Sequence, residues 1–164
     1  MVSLPIFSEQ QSFIKHWWAL LLLPICLMVG VAVLQYSGKL PQKEFSWIGV
    51  ALAILAAFLL ITLRLHTRLD STGLHYRMTP IHLQWQHIDW AEVSRAYVRE
   101  YDPLGEYGGW GIKGVISNRA YNMAGSYGLQ LELHNGNRVL LGTQQPKALR
   151  QVIAQLRPEQ LPTI

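Results

Sequence analysis

Residues 64–79 run RLHTRLDSTGLHYRMT. Leu65, Thr67 and Leu69 alternate with His66, Arg68 and Asp70, and Leu74, Tyr76 and Met78 alternate with His75, Arg77 and Thr79. Ser71-Thr72-Gly73 lies between the two runs. Period-two alternation on either side of a turn signal predicts a β-hairpin with one buried and one polar face. With Leu69 opposite Tyr76, the polar face sets Arg68 opposite Arg77, a like-charge pair that is destabilising unless an anion offsets it.

Downstream the same period continues. His82 to His87 reads as a third strand, followed by strands over Arg95 to Tyr101, Ile112 to Ile116 and Ala120 to Met123. Gly128 to Glu132 and Arg138 to Leu141 flank His134-Asn135-Gly136-Asn137, and Asn-Gly between alternating runs is a strong hairpin signal. The period then changes to 3.6: Leu149, Val152, Ile153 and Leu156 follow Pro146, and Arg157-Pro158 ends the helix. An α+β fold is expected, with residues 64–164 forming a small antiparallel β-barrel or sandwich of about seven strands capped by a C-terminal helix. That layout is pleckstrin-homology-like (PH-like).

Upstream, no residue from Trp17 to Leu34 or from Trp47 to Leu63 is charged. Both stretches are apolar all round and close to the length that crosses a hydrocarbon core of ~30 Å. Trp17, Trp18, Tyr36 and Trp47 stand at their ends, where aromatic rings favour the headgroup level. Residues 1–63 are therefore expected to hold a transmembrane hairpin, with helices over about 17–35 and 47–63. The polar run before the first stretch argues against a cleaved signal peptide. Gly49, Ala53 and Ala57 recur every four residues, a spacing that lets helices pack closely. Lys15, Arg64, Arg68 and Arg77 flank the hairpin on one side, against Lys39 and Lys43 in its loop. That bias predicts an inner-membrane protein with two spans and both termini cytoplasmic.

Composition agrees with this division. The 164 residues are 50% hydrophobic and only 15% charged, where a soluble domain has about a quarter charged. Length and composition exclude a large multidomain enzyme, a collagen-like fibre and a disordered polymer. The single cysteine, Cys26, excludes an intrachain disulfide framework and a thiolate zinc cluster. From Arg64 onward, eleven Lys and Arg stand against eight Asp and Glu, too small an excess to argue for nucleic acid.

The run YVREYDPLGEYGGWGI, residues 97–112, resembles a family of uncharacterised bacterial membrane proteins that carry a two-helix anchor before a bacterial PH-like domain. Gly128-Leu129-Gln130-Leu131 and Gly142-Thr143-Gln144-Gln145-Pro146 resemble later blocks of that family, and Lys113 departs from the arginine its pattern leads one to expect. The resemblance covers roughly residues 64–157. It implies a fold and a membrane address, and no activity.

Three groups of side chains are candidates for function. Arg64, Arg68 and Arg77 are within reach of lipid headgroups or the membrane surface, where each basic group can contribute ~1 kcal/mol. Arg99, Tyr101, Glu106, Tyr107 and Trp110 mark a partner or ligand surface around a glycine-rich loop; a bulge packed on the domain's own core explains the same residues. Overlapping this second group, Arg95, Tyr97, Arg99 and Tyr101 alternate along one strand as a basic–aromatic row. Gly49, Ala53 and Ala57 are the third group, for helix packing.

Catalysis is not expected. Gly109-Trp110-Gly111-Ile112-Lys113-Gly114 matches G-x-G-x-x-G, but strand-forming residues follow where a dinucleotide site needs a helix. Glu100, Asp102 and Glu106 cluster, yet such acids also cap loop N–H groups. His66 with His75, and His82 with His87, show no recognised ligand spacing, so neither metal nor cofactor is expected. The reading is a binding or scaffolding module with membrane lipids and a protein partner. The alternative is a small integral-membrane subunit whose hairpin packs against a larger transporter or enzyme.

Overall fold

The computed structural model describes residues 6–39 and 47–156. Its elements in chain order are β1 (Phe7–Ser12), α1 (Phe13–Tyr36), α2 (Trp47–Thr62), β2 (Arg64–Leu69), β3 (Gly73–Thr79), β4 (Gln86–Asp89), β5 (Val93–Glu100), α3 (Pro103–Tyr107), β6 (Gly111–Val115), β7 (Asn118–Asn122), β8 (Tyr127–Leu133), β9 (Arg138–Gly142) and α4 (Pro146–Leu156). The fold is α+β, with two sheets of order β1-β2-β3-β4 and β5-β8-β9-β7-β6.

Two compact units result: Ser12–Leu63, and the residues up to Gln11 together with those from Arg64 onward. The boundary expected at residue 63 is thereby corrected at the N-terminus. The backbone N–H of Ile6 donates to the Leu69 carbonyl at 2.8 Å, and β1 is the outer neighbour of β2. Phe7, Glu9 and Gln11 point inward along β1. Two of those three are polar, so no hydrophobic alternation marks the strand.

In the helical unit, α1 is 24 residues long and apolar enough to cross a membrane. A 3₁₀ turn over Trp18–Leu21 precedes Pro24, whose missing N–H and bulky ring disturb the preceding turn. α2 has 16 residues, ~24 Å of helix, short of a ~30 Å hydrocarbon core. Of the three small residues expected to form a packing face, Ala53 and Ala57 are half-buried, in line with Val50 and Leu60. The surroundings of Gly49 lie outside the described residues.

The β2–β3 hairpin keeps the expected faces and changes the expected pairs. Leu65, Leu69, Leu74 and Met78 are fully buried, while Arg68 pairs with His75, His66 with Arg77, and Leu69 with Leu74. The expected opposition of Arg68 to Arg77 is thus corrected. Asp70 Oδ1 accepts from Thr72 N at 2.8 Å, Thr72 Oγ1 at 2.5 Å and Gly73 N at 3.1 Å, so the turn closes with only Ser71 and Thr72 at its tip. The register moves by two residues, which preserves every face.

The third strand is Gln86–Asp89 rather than His82 to His87. His82 N donates back to the Met78 carbonyl at 2.7 Å, and Pro80 offers no N–H to a ladder, so residues 80–85 turn instead of pairing. The second sheet is not wholly antiparallel: β9 lies between β8 and β7 and runs parallel to β7. The described strands form two sheets and no closed barrel, which corrects the barrel form of the expectation. α4 falls where its periodicity placed it, burying Leu149 and Ile153 against β5 and β8.

Candidate anion-binding face

The polar face of β2, β3 and β4 collects His66, Arg68, His75, Arg77 and His87, because alternation sends each away from the leucine core. Trp85, in the turn before β4, joins them. The Arg68 guanidinium carbon lies 4.4 Å from the centre of the Trp85 ring, that of Arg77 lies 5.2 Å away, and His66 meets the same indole edge-on at 6.1 Å. The two arginines expected to oppose each other across the hairpin converge instead on one aromatic ring.

Electrostatically this face is unbalanced. Among the described residues no carboxylate pairs with Arg64, Arg68 or Arg77. Arg77 Nε is buried without a hydrogen-bond partner, which costs ~1–3 kcal/mol, more for a charged group, until an acceptor arrives. The His66 imidazole is held below its ordinary value by burial first and then by Arg77, Arg64 and Arg68. Stacking on an indole stabilises each cation by only ~0.5–1 kcal/mol at an exposed site, which orients the guanidiniums and leaves their charge uncompensated. Ile81 and Leu83, 57% and 88% exposed, project from the turn that carries Trp85. Trp85 was not singled out in the sequence; its signal was a lone tryptophan between Gln84 and Gln86, close to the arginine-bearing hairpin.

The glycine-rich block is built differently. Tyr101 and Tyr107 are buried, meet edge-to-face at 5.9 Å, and share a core cluster with Ala120 and Leu140. They offer no contact surface, which corrects their expected role. Asn122, fully buried, donates from Nδ2 to the Tyr101 hydroxyl at 2.9 Å and accepts from Gly111 N at 2.8 Å. Trp110 Nε1 donates to the Gly125 carbonyl at 3.1 Å. Gly108 and Gly109, at φ 71° and 120°, turn the chain out of α3 in conformations that other residues rarely adopt.

Each acid near this loop is engaged. Asp102 Oδ1 accepts from Leu104 N at 3.0 Å and caps α3. Glu106 receives Arg99 through two bonds of 3.0 and 2.6 Å, and Glu100 accepts from the Tyr127 hydroxyl at 3.3 Å. Along the basic–aromatic row, Arg95 and Tyr97 reach Glu132 while Arg99 Nε reaches Gln130. The row is a cross-strand ladder between β5 and β8, with its charges largely matched.

The chain matches no protein-family profile, no curated protein and no solved structure.

Proposed function

We propose that this protein is a membrane-anchored binding and scaffolding module, PH-like in layout, that works at the cytoplasmic face of a bacterial inner membrane without catalysis. The observation that carries the reading is the convergence of Arg68 and Arg77 on Trp85, with an unpartnered buried Nε on Arg77. Oriented, uncompensated guanidiniums suit phosphate oxygens. The neighbouring exposed Ile81 and Leu83 suit contact with acyl chains.

The two-span hairpin draws support from connectivity. β1 precedes α1 in the chain and β2 follows α2, yet they are neighbours in one sheet. Whichever side of a bilayer holds β1 also holds β2, so a chain that crosses through α1 must return through α2. Local thinning and snorkelling side chains accommodate a span as short as α2 at modest cost. The Lys and Arg bias supports the cytoplasmic side. The two-sheet domain with a C-terminal helix supports the PH-like layout. The subunit alternative draws less support, because Ala53 and Ala57 are already half-buried within the chain.

The test places the full chain in nanodiscs of zwitterionic lipid, with and without anionic phospholipid, and follows amide hydrogen exchange. Residues 77–88 are expected to slow in anionic discs at low salt, and to lose that protection at high salt and in Arg68→Ala/Arg77→Ala. Equal exchange in both lipids removes the headgroup reading.

A further inference from the structure

The same sheet face carries a second constellation. β3 and β4 pair so that His75 stands directly opposite His87. Their rings lie 4.3 Å apart, tilted by 30°, with Nδ1 facing Nδ1 at 3.2 Å. A single hydrogen satisfies that contact, since one nitrogen must donate and the other accept. Two imidazole nitrogens 3.2 Å apart, each ~2.1 Å from a common ion, subtend about 100° there. That angle lies between square-planar and tetrahedral values.

Two further features hold the pair in place. Asp70 Oδ2 lies 3.1 Å from the buried His75 Nε2 and pairs with it. The other carboxylate oxygen of Asp70 is committed to the turn, as described above, so the side chain is anchored. A carboxylate behind a histidine favours the proton on the nitrogen facing it and leaves the opposite nitrogen free to ligate. His87 in turn occupies the space above Gly73: a Cβ at that position would lie 2.7 Å from His87 Cε1 and would also strike the Ile88 carbonyl oxygen.

We propose that His75 and His87 bind a late first-row divalent ion, of the zinc, nickel and copper class, through their Nδ1 atoms, with Asp70 as the positioning residue behind His75. Imidazole nitrogens suit these ions, whereas magnesium and calcium require oxygen ligands. Among the described residues no third His, Cys, Asp or Glu is placed to ligate the same ion, so water or an exogenous anion fills the other coordination positions. The inference does not depend on the lipid reading.

The probes are Cu²⁺ by electron paramagnetic resonance and Zn²⁺ by competition with a chromophoric chelator. Both use the full, tag-free chain in detergent. Expected are one ion per chain and a copper spectrum split by two imidazole nitrogens. His87→Ala and His75→Ala should each weaken binding by more than the roughly tenfold that loss of a supporting group costs. Asp70→Asn keeps the oxygen that closes the turn but presents an amide N–H₂ to His75 Nε2, which places the proton on Nδ1. It should weaken binding by roughly 10- to 100-fold. His134→Ala, at an exposed histidine in the turn after β8 of the other sheet, should leave binding unchanged. His87 is exposed on an edge strand, so its truncation leaves no cavity, and unchanged thermal melting of metal-free His87→Ala confirms the fold. Binding that is unaltered in His87→Ala, or a copper signal with fewer than two imidazole nitrogens, overturns the proposal.

Discussion

Ile6 donates its backbone N–H to the carbonyl of Leu69, 2.8 Å away across 63 positions of sequence. The bond closes a circuit: the chain runs along β1, leaves as the apolar segment and returns along β2 beside the strand it left. Glu9 and Gln11 fasten β1 further. Glu9 accepts from Thr143 Oγ1 at 2.6 Å and from Gln144 N at 2.7 Å, and Gln11 Nε2 donates to the Gly142 carbonyl at 2.6 Å. The apolar segment is thus an insertion between neighbouring strands.

A chain in which Asn-Gly replaces residues 13–63 should therefore fold, because that dipeptide joins antiparallel strands directly. A fragment starting at Arg64 should melt lower and self-associate, since it bares the β2 edge and deprives Thr143 and Gln144 of their acceptor. Thermal melts and sedimentation of both would decide this. Equal behaviour would mean that β1 contributes nothing.

Glu9→Ala should cost ~1–3 kcal/mol in urea unfolding, since the buried Thr143 hydroxyl and the part-buried Gln144 N–H lose their acceptor. Glu9→Gln should cost less, because one amide oxygen still accepts and the Thr143 hydroxyl can reverse its role.

Asn122→Ala should cost a similar ~1–3 kcal/mol by stranding Gly111 N and the Tyr101 hydroxyl. Tyr101→Phe should cost about 1 kcal/mol, one net hydrogen bond. If both are silent in denaturation, the glycine-rich loop does not depend on this network.

Arg99 and Glu106 should couple by ~0.5–1 kcal/mol in a double-mutant cycle, and Arg99→Lys should recover only part, since an ammonium cannot fork. The Arg99 hydrogen bond is the chief cause holding Glu106 below its ordinary value of 4.5. A carboxylate with a depressed folded value contributes stability above its unfolded value and loses it as pH falls. The coupling should be intact at neutral pH and fade below about 4.5.

His66 carries the pH dependence of the arginine face. Its folded value lies below 6.5, so its contribution to stability is present above 6.5 and declines as pH falls through the lower folded value. An anion on Arg68 and Arg77 weakens the repulsion that disfavours the imidazolium. The His66 proton resonance should therefore titrate below 6.5 in zwitterionic discs and at higher pH in anionic ones. An identical midpoint in both would separate His66 from the binding event.

Much of this domain was legible from alternation alone. Leu65, Leu69, Leu74 and Met78 could only face inward and Arg68 and Arg77 outward, because a strand has period two whatever its register. α4 was equally plain from Leu149, Ile153 and their helical spacing. β1 was not: its inward residues include Glu9 and Gln11, whose burial makes sense only once Thr143, Gln144 and Gly142 stand opposite. Tyr101 and Tyr107 misled in the other direction, since an aromatic–glycine run looks the same in a surface loop and in a packed turn.

Sequence by itself determined that an apolar helical segment adjoins a strand-rich domain and which faces of the first hairpin are polar, because these follow from local periodicity. Only the tertiary structure decided that residues before the apolar segment complete the domain, that Arg68 and Arg77 meet on Trp85, and that His75 meets His87. Each depends on a pairing between separate stretches of chain, set by turn closure and sheet order rather than by any local preference.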